Sequence, residues 1–138
     1  MHARKVLYIY LNEFDMGFVS MRSFIKIYGP PVLETIKTLE KIAVDMPEVS
    51  IMDTLILNSV PKFMEADYTM NYFSAIPAEI EYKRCSNIIS KSGEMLGEYD
   101  FFFEWFTEPS MEQLNSLIKK IDEALAALGC KYSITTKN

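Results

Sequence analysis

Apolar and polar positions change rhythm along this chain, and each change marks an element. Gly97–Phe106 alternates with a period of two: Tyr99, Phe101, Phe103 and Trp105 fall on one face, Asp100, Phe102, Glu104 and Phe106 on the other. Beyond the turn at Pro109 the period lengthens. Leu114, Leu117, Ile118, Ile121, Leu125 and Leu128 recur at three- and four-residue steps, the stripe of an amphipathic helix. Ser110 stands at its N-cap with Gln113 at capping-box distance, and Gly129 stands where a left-handed C-cap residue is expected. A second strand follows over Gly129–Thr136. The unit is strand, helix, strand, and the all-aromatic strand face is expected to carry the helix.

The first half repeats this plan more loosely. Lys5–Leu11 reads as a strand, with Leu7, Ile9 and Leu11 toward the helices and Val6, Tyr8 and Tyr10 on the other face. After an acidic loop over Asn12–Gly17, Phe18, Met21, Ile25 and Tyr28 keep helical spacing and predict a short helix ended by Gly29-Pro30-Pro31. A longer helix follows with the stripe Val32, Leu33, Ile36, Leu39, Ile42, Ala43 and Met46, closed by Pro47. Glu34, Lys37, Glu40 and Lys41 lie outside that stripe. Ser50–Asn58 predicts the second strand and Pro61–Phe73 a helix. Glu79–Cys85 alternates as a further strand that Ile88 and Ile89 extend, and Ser90–Gly97 reads as a loop.

These elements predict one α+β domain over residues 1–138 with a ferredoxin-like βαββαβ antiparallel sheet. Two main helices cover one face, and residues 59–97 form an insertion between the second and third skeleton strands. In that layout the first and third skeleton strands are central neighbours. Tyr8 and Tyr10 are then expected beside Asp100, Phe102 and Glu104 on the open face.

Pro47-Glu48-Val49, Gly97-Glu98-Tyr99-Asp100, the capped helix, Gly129 and the run Tyr132–Thr136 resemble the effector-binding half of the leucine-responsive (Lrp/AsnC) regulators. More widely they resemble the dimeric α+β barrels. The likeness covers the last third of the chain and the helix-to-strand join near Pro47. It implies that fold and the habit of pairing through the open sheet face. It does not imply a regulator's job. Those regulators have a tight turn where this chain has about forty residues, and their DNA-binding helices have no counterpart in this sequence.

Pairing has a physical reason too. An open face carrying Val6, Tyr8, Tyr10, Phe102 and Phe106 is too apolar to leave wet, so a homodimer about a two-fold axis is expected. The alternative is that the insertion folds back over its own sheet.

Composition removes several function classes. The 138 residues carry a net charge of −5 and no run of Lys and Arg, so a polyanion-binding patch is not expected. The helix after Gly29-Pro30-Pro31 offers acids where a DNA-recognition helix wants Arg, Lys, Asn and Gln. With His2 the single histidine and Cys85 and Cys130 far apart, no Cys/His metal site can be assembled, and free thiols in a cytoplasm are the expectation. No apolar run reaches membrane-spanning length. No dinucleotide, P-loop, metalloprotease or nucleophile-elbow motif occurs, so no cofactor is expected.

The candidate ligand-binding residues are therefore Tyr8, Tyr10, Asp100, Phe102 and Glu104 on the open face. Asp100 and Glu104 lie roughly 13 Å apart along the strand, too far for a carboxylate pair within one chain. Either acts as a base only if burial raises its pKa; otherwise both are solvated or pair with Lys131 or Arg84. Lys83-Arg84 is a candidate anion site or a solvated edge. The leading expectation is a dimerising small-molecule-binding or regulatory module. A cofactor-independent enzyme of the dimeric α+β barrel type and an interaction subunit without a pocket are the alternatives.

Overall fold

Five strands form the sheet, four of them antiparallel, and one of those four is not where the hydrophobic spacing puts it. The computed structural model describes residues 20–59, 66–75 and 79–138, together with the backbone of 4–8. Its strands are β1 (Arg4–Tyr8), β2 (Arg22–Tyr28), β3 (Val49–Asp53), β4 (Phe101–Trp105) and β5 (Lys131–Lys137). The helices are α1 (Val32–Val44), α2 (Thr54–Ser59), α3 (Ala66–Ser74), α4 (Tyr82–Cys85) and α5 (Met111–Ala126), with a 3-10 turn over Gly93–Leu96. The sheet order is β1-β5-β2-β4-β3. All pairings are antiparallel except β1 with β5, which is parallel at the edge. The fold is α+β.

β2 corrects the helix expected over Phe18–Tyr28. It is central, and its residues 22–25 and Ile27 are buried. A strand covered on both faces need not alternate, so Met21, Ile25 and Tyr28 fall by chance at helical steps. β2 takes the central place beside β4 that Lys5–Leu11 was expected to fill: Arg22 pairs with Glu104 and Phe24 with Phe102. β1 lies instead at the far edge, where Tyr8 is in register with Thr136.

The strand expected over Ser50–Asn58 stops at Asp53. The Asp53 carboxylate accepts the Ile56 amide (2.8 Å), which caps and starts α2. Glu79–Cys85 is not a strand; its last four residues form the single turn α4. The edge pairing shifts to Ile88–Ser90, where Ile51 N–H donates to Ile88 C=O and Ser90 N–H donates to Ile51 C=O, both at 2.7 Å. Of the helix expected over Pro61–Phe73, α3 is the described part; residues 61–65 lie outside the described residues.

The helix face is as expected. Ser110 and Gln113 form the full capping box, at 3.1 and 2.9 Å, and Gly129 has φ +64°. Leu114, Leu117, Ile118, Ile121 and Leu125 of α5 are buried. Tyr132 hydrogen-bonds Asp122 on α5 and pairs with Ile27, so the strand positions in phase with them (Ser23, Ile25, Phe101, Phe103, Trp105, Ile134) face the helices. Trp105 Nε1 donates to Ser23 Oγ (3.1 Å), which bonds Thr136 Oγ1 (2.9 Å), so these three polar groups satisfy one another. Tyr99 is an exception to the expected alternation. It stacks on Phe24, on the reverse face, at 4.6 Å between centroids.

α1 departs from its stripe at both ends. Val32 and Leu33 are exposed, whereas Glu40, expected outside the stripe, is fully buried.

Two substitutions test these placements. Ile25→Ala, in the core between Phe101 and Ile134, is expected to lose about 2–5 kcal/mol of stability. Ser110→Ala should cost about 1 kcal/mol. Urea unfolding measures both. An Ile25→Ala variant within 0.5 kcal/mol of the parent, roughly the range of surface changes, contradicts the central placement of β2.

Candidate functional site

The reverse face of the sheet is closed over a buried ion pair. Arg22 Nη2 meets Glu104 Oε2 at 2.9 Å, and both side chains are nearly out of water. Glu104 Oε1 accepts the Ser90 hydroxyl (2.6 Å) and, more weakly, that of Ser50 (3.4 Å). Ser90 Oγ in turn accepts the Ser92 amide at 3.0 Å. The Arg22 guanidinium also lies 5.7 Å from the Phe102 ring centroid. A carboxylate in such a place needs a cation and donors together, and it has both.

The 90–96 segment supplies those donors because it lies across the sheet. A Cβ on Gly93 would sit 3.2 Å from Met52 Cε and 3.3 Å from Leu57 Cδ1, so the turn passes close over β3. Phe24, Met52, Leu96 and Phe102 are all buried. The insertion does fold back over its own sheet.

Of the expected ligand residues that are described, Asp100, Phe102 and Glu104 share a face and Tyr8 lies apart from them. Phe102 and Glu104 adjoin the buried network. Asp100 caps the far end of the same face, its Oδ2 accepting the Ile27 amide at 2.7 Å. Tyr8 lies three strands from β4, roughly 14 Å at the usual strand spacing. Tyr10 lies outside the described residues. Glu104 pairs with Arg22, neither Lys131 nor Arg84 being its partner. Both expected acids make structural bonds, Asp100 with the Ile27 amide and Glu104 with Arg22.

Arg84 has a different task. Its Nη2 donates to the carbonyls of Ala43 (3.0 Å), Met46 (2.8 Å) and Val49 (2.6 Å), and its Nη1 to Asn87 Oδ1 (2.7 Å). It thereby closes the C-terminal end of α1, whose last carbonyls have no partner within the helix. Burial pulls its pKa below the usual arginine range and pushes the adjacent Cys85 thiol up. Cys85 and Cys130 are both free.

Beside Arg84 lies a groove of about 380 Å³, lined by Val44, Asp45, Pro47, Glu79, Glu81, Lys83, Arg84 and Asn87. Its size suits a small molecule. Three carboxylates face two cations there, and one of those cations is turned onto backbone carbonyls.

A third feature escaped the sequence altogether. Glu40 on α1, Asp53 at the end of β3 and Tyr72 on α3 meet in the core, with Tyr72 donating to Glu40 Oε2 at 2.6 Å. Burial pushes the Asp53 carboxyl up to about 9, helped by Glu40 beside it and opposed by the Ile56 and Leu55 amides. Burial also raises Glu40, against bonds from Asp53 and Tyr72 and the charge of Lys37. The signal available in the sequence was Asp53-Thr54 as a helix start. Among the described residues, no group of three or more His, Cys, Asp or Glu side chains is placed to hold a metal ion, and no helix is long and apolar enough to cross a membrane.

The fold class, then, is α+β with an open antiparallel sheet. Compared with known proteins, the chain matches no family model, no curated protein and no solved structure. What it does is argued from its own geometry.

Removing one member of the buried pair should be severe. Glu104→Ala or Arg22→Ala is expected to cost about 3–5 kcal/mol in chemical unfolding, because each leaves an unpaired charge in the core. An apolar Arg22→Met/Glu104→Leu double variant should recover most of that loss. Additive losses in the double variant would show that the two charges do not act as a pair.

Proposed function

We propose that this protein is a cytoplasmic, non-catalytic small-molecule-binding or regulatory module, whose ligand is a small polar molecule with a positively charged group. The observation that carries this is the groove at the end of α1. Asp45, Glu79 and Glu81 line it against Lys83 and an Arg84 already bonded to three carbonyls, so a cation brings the charge the groove lacks.

The scaffold we propose for it is ferredoxin-like. The support is the strand order. With β2, β3, β4 and β5 counted as the four skeleton strands, the sheet runs second, third, first, fourth. α1 joins the first to the second and α5 joins the third to the fourth.

Pairing of two copies through the reverse face belongs to the proposal on a smaller footing. The chain's own 90–96 segment crosses part of that face and Phe102 is buried, which leaves Tyr28 and Phe106 exposed at its opposite ends. Sedimentation decides it: a species at twice 15.9 kDa supports pairing, and a species at 15.9 kDa at all concentrations removes it.

Ligand binding is read by melting temperature. A ligand held only by the folded form adds about 2.7 kcal/mol at a hundred times its Kd. Primary amines and polyamines are expected to raise the melting point, carboxylates of the same size are not, and Glu79→Gln/Glu81→Gln should abolish the response. Equal response to amines and carboxylates, or none to either, overturns the assignment.

A further inference from the structure

The core junction of α1, β3 and α3 carries a second consequence, independent of the groove. Glu40 and Asp53 are both fully buried. One oxygen of each carboxyl group has a donor: Glu40 Oε2 takes the Tyr72 hydroxyl at 2.6 Å, and Asp53 Oδ1 takes the Ile56 amide at 2.8 Å. The other oxygen of each, Glu40 Oε1 and Asp53 Oδ2, is buried and has no donor among the described residues. The two carboxyl groups are close enough for each to act on the other's hold on its proton. Two carboxylates are acceptors only, so they cannot satisfy each other. One proton turns one of them into a donor and completes both.

We propose that Glu40 and Asp53 share one proton, and that this proton fastens α3 to α1 and β3 as a pH-sensitive switch. Losing it leaves two like charges in the core beneath Tyr72 and releases α3.

The groups that face the pair are few. From α1 come Glu40 itself and Lys37, whose charge opposes the rise at Glu40. From the β3–α2 corner come Asp53 and the Leu55 and Ile56 amides, which favour the ionised form of Asp53. From α3 comes the Tyr72 hydroxyl, which burial and the adjacent carboxyls keep protonated. Thr69 and Phe73 are the buried residues of α3. Among the described residues, Lys37 is the one cation that acts on the pair, and burial outweighs it.

The sign follows from where the proton is held. With α3 seated, Asp53 keeps its proton up to a pKa of about 9. With α3 lifted and the carboxyls in water, they lose it near the ordinary value of about 4. Between those limits the seated form binds one more proton than the lifted form. The ratio of seated to lifted therefore falls about tenfold per pH unit as pH rises, and levels off above about 9. α3 is held most firmly in acid. From pH 6 to pH 8 its seating weakens about a hundredfold.

Hydrogen exchange tests this on the intact chain. The protection of α3 amides, corrected for intrinsic exchange and referred to α5 as an internal standard, should fall about a hundredfold between pH 6 and pH 8. In Asp53→Asn the trend should vanish: the side-chain oxygen still caps Ile56, and the amide N–H donates to Glu40 at every pH. Glu40→Gln should flatten it likewise. Carbon NMR of the wild-type carboxyl groups should show one of the two protonated at pH 7, a measurement that stands even if neither variant folds. Two results overturn the proposal. One is a wild-type pair that is fully ionised by pH 6, including the case where added sodium or calcium stabilises that ionised pair and a cation holds the two groups together. The other is a slope that persists unchanged in Asp53→Asn.

Discussion

Burial of β4 on both faces is the constraint from which most of this structure follows. Residues Phe101–Trp105 are all out of water, and the strand is flanked by β2 and β3. The helix side is filled in the ordinary way, by the apolar stripes of α1 and α5. The other side is not, because Glu104 sits in it. A carboxylate buried there costs several kcal/mol unless it gains a cation and hydrogen-bond donors. Arg22 must then stand opposite on the neighbouring strand, and Ser90 must be carried across the sheet. The second requirement explains why the chain between α4 and β4 turns back over Met52 and does not leave the sheet face open. Satisfying one acid thus accounts for the cover over the β3–β4 part of the reverse face.

The parts of the fold that could be read from the sequence are those where one face meets water. α5 has a charged outer side, a complete capping box and a glycine stop, and nothing competes with that reading. β5 alternates because its outward positions are half exposed. β2 was unreadable for the opposite reason. With both faces covered, its apolar residues follow neither a strand nor a helix period, and the chance steps between Met21, Ile25 and Tyr28 favoured the wrong one. The error spread, since a helix there left Lys5–Leu11 as the partner of the aromatic strand and put Tyr8 and Tyr10 into a site that β1 does not reach.

Candidate chemistry fared differently from the fold. Asp100 and Glu104 were rightly placed on one strand face, but residue type says nothing about partners. Asp100 is committed to the Ile27 amide and Glu104 to Arg22. The groove residues come from the end of α1 and from a segment whose alternation imitates a strand; only Arg84, folding back to three carbonyls at the end of α1 and start of β3, brings the two together. Glu40 was hidden by the rule that charges lie outside the stripe, which holds only when no buried partner waits for them.

β3 sits between two acid sites that are neutralised in opposite ways. On its reverse side Ser50 serves a carboxylate balanced by the charge of Arg22. On its helix side, among the described residues, Asp53 and Glu40 have no arginine partner, and the proposed balance is a proton. The difference has a mechanical meaning. The Arg22–Glu104 pair joins two neighbouring strands, and Ser90 ties it to the segment that crosses them. The acid pair holds α3 only while its proton stays, and a proton can leave without any covalent or large structural change. A molecule that needed both joints fixed would be better served by apolar residues at Glu40 and Asp53, which pack without any charge to satisfy. Retaining two acids there gives up stability and leaves one joint of the fold adjustable by its surroundings.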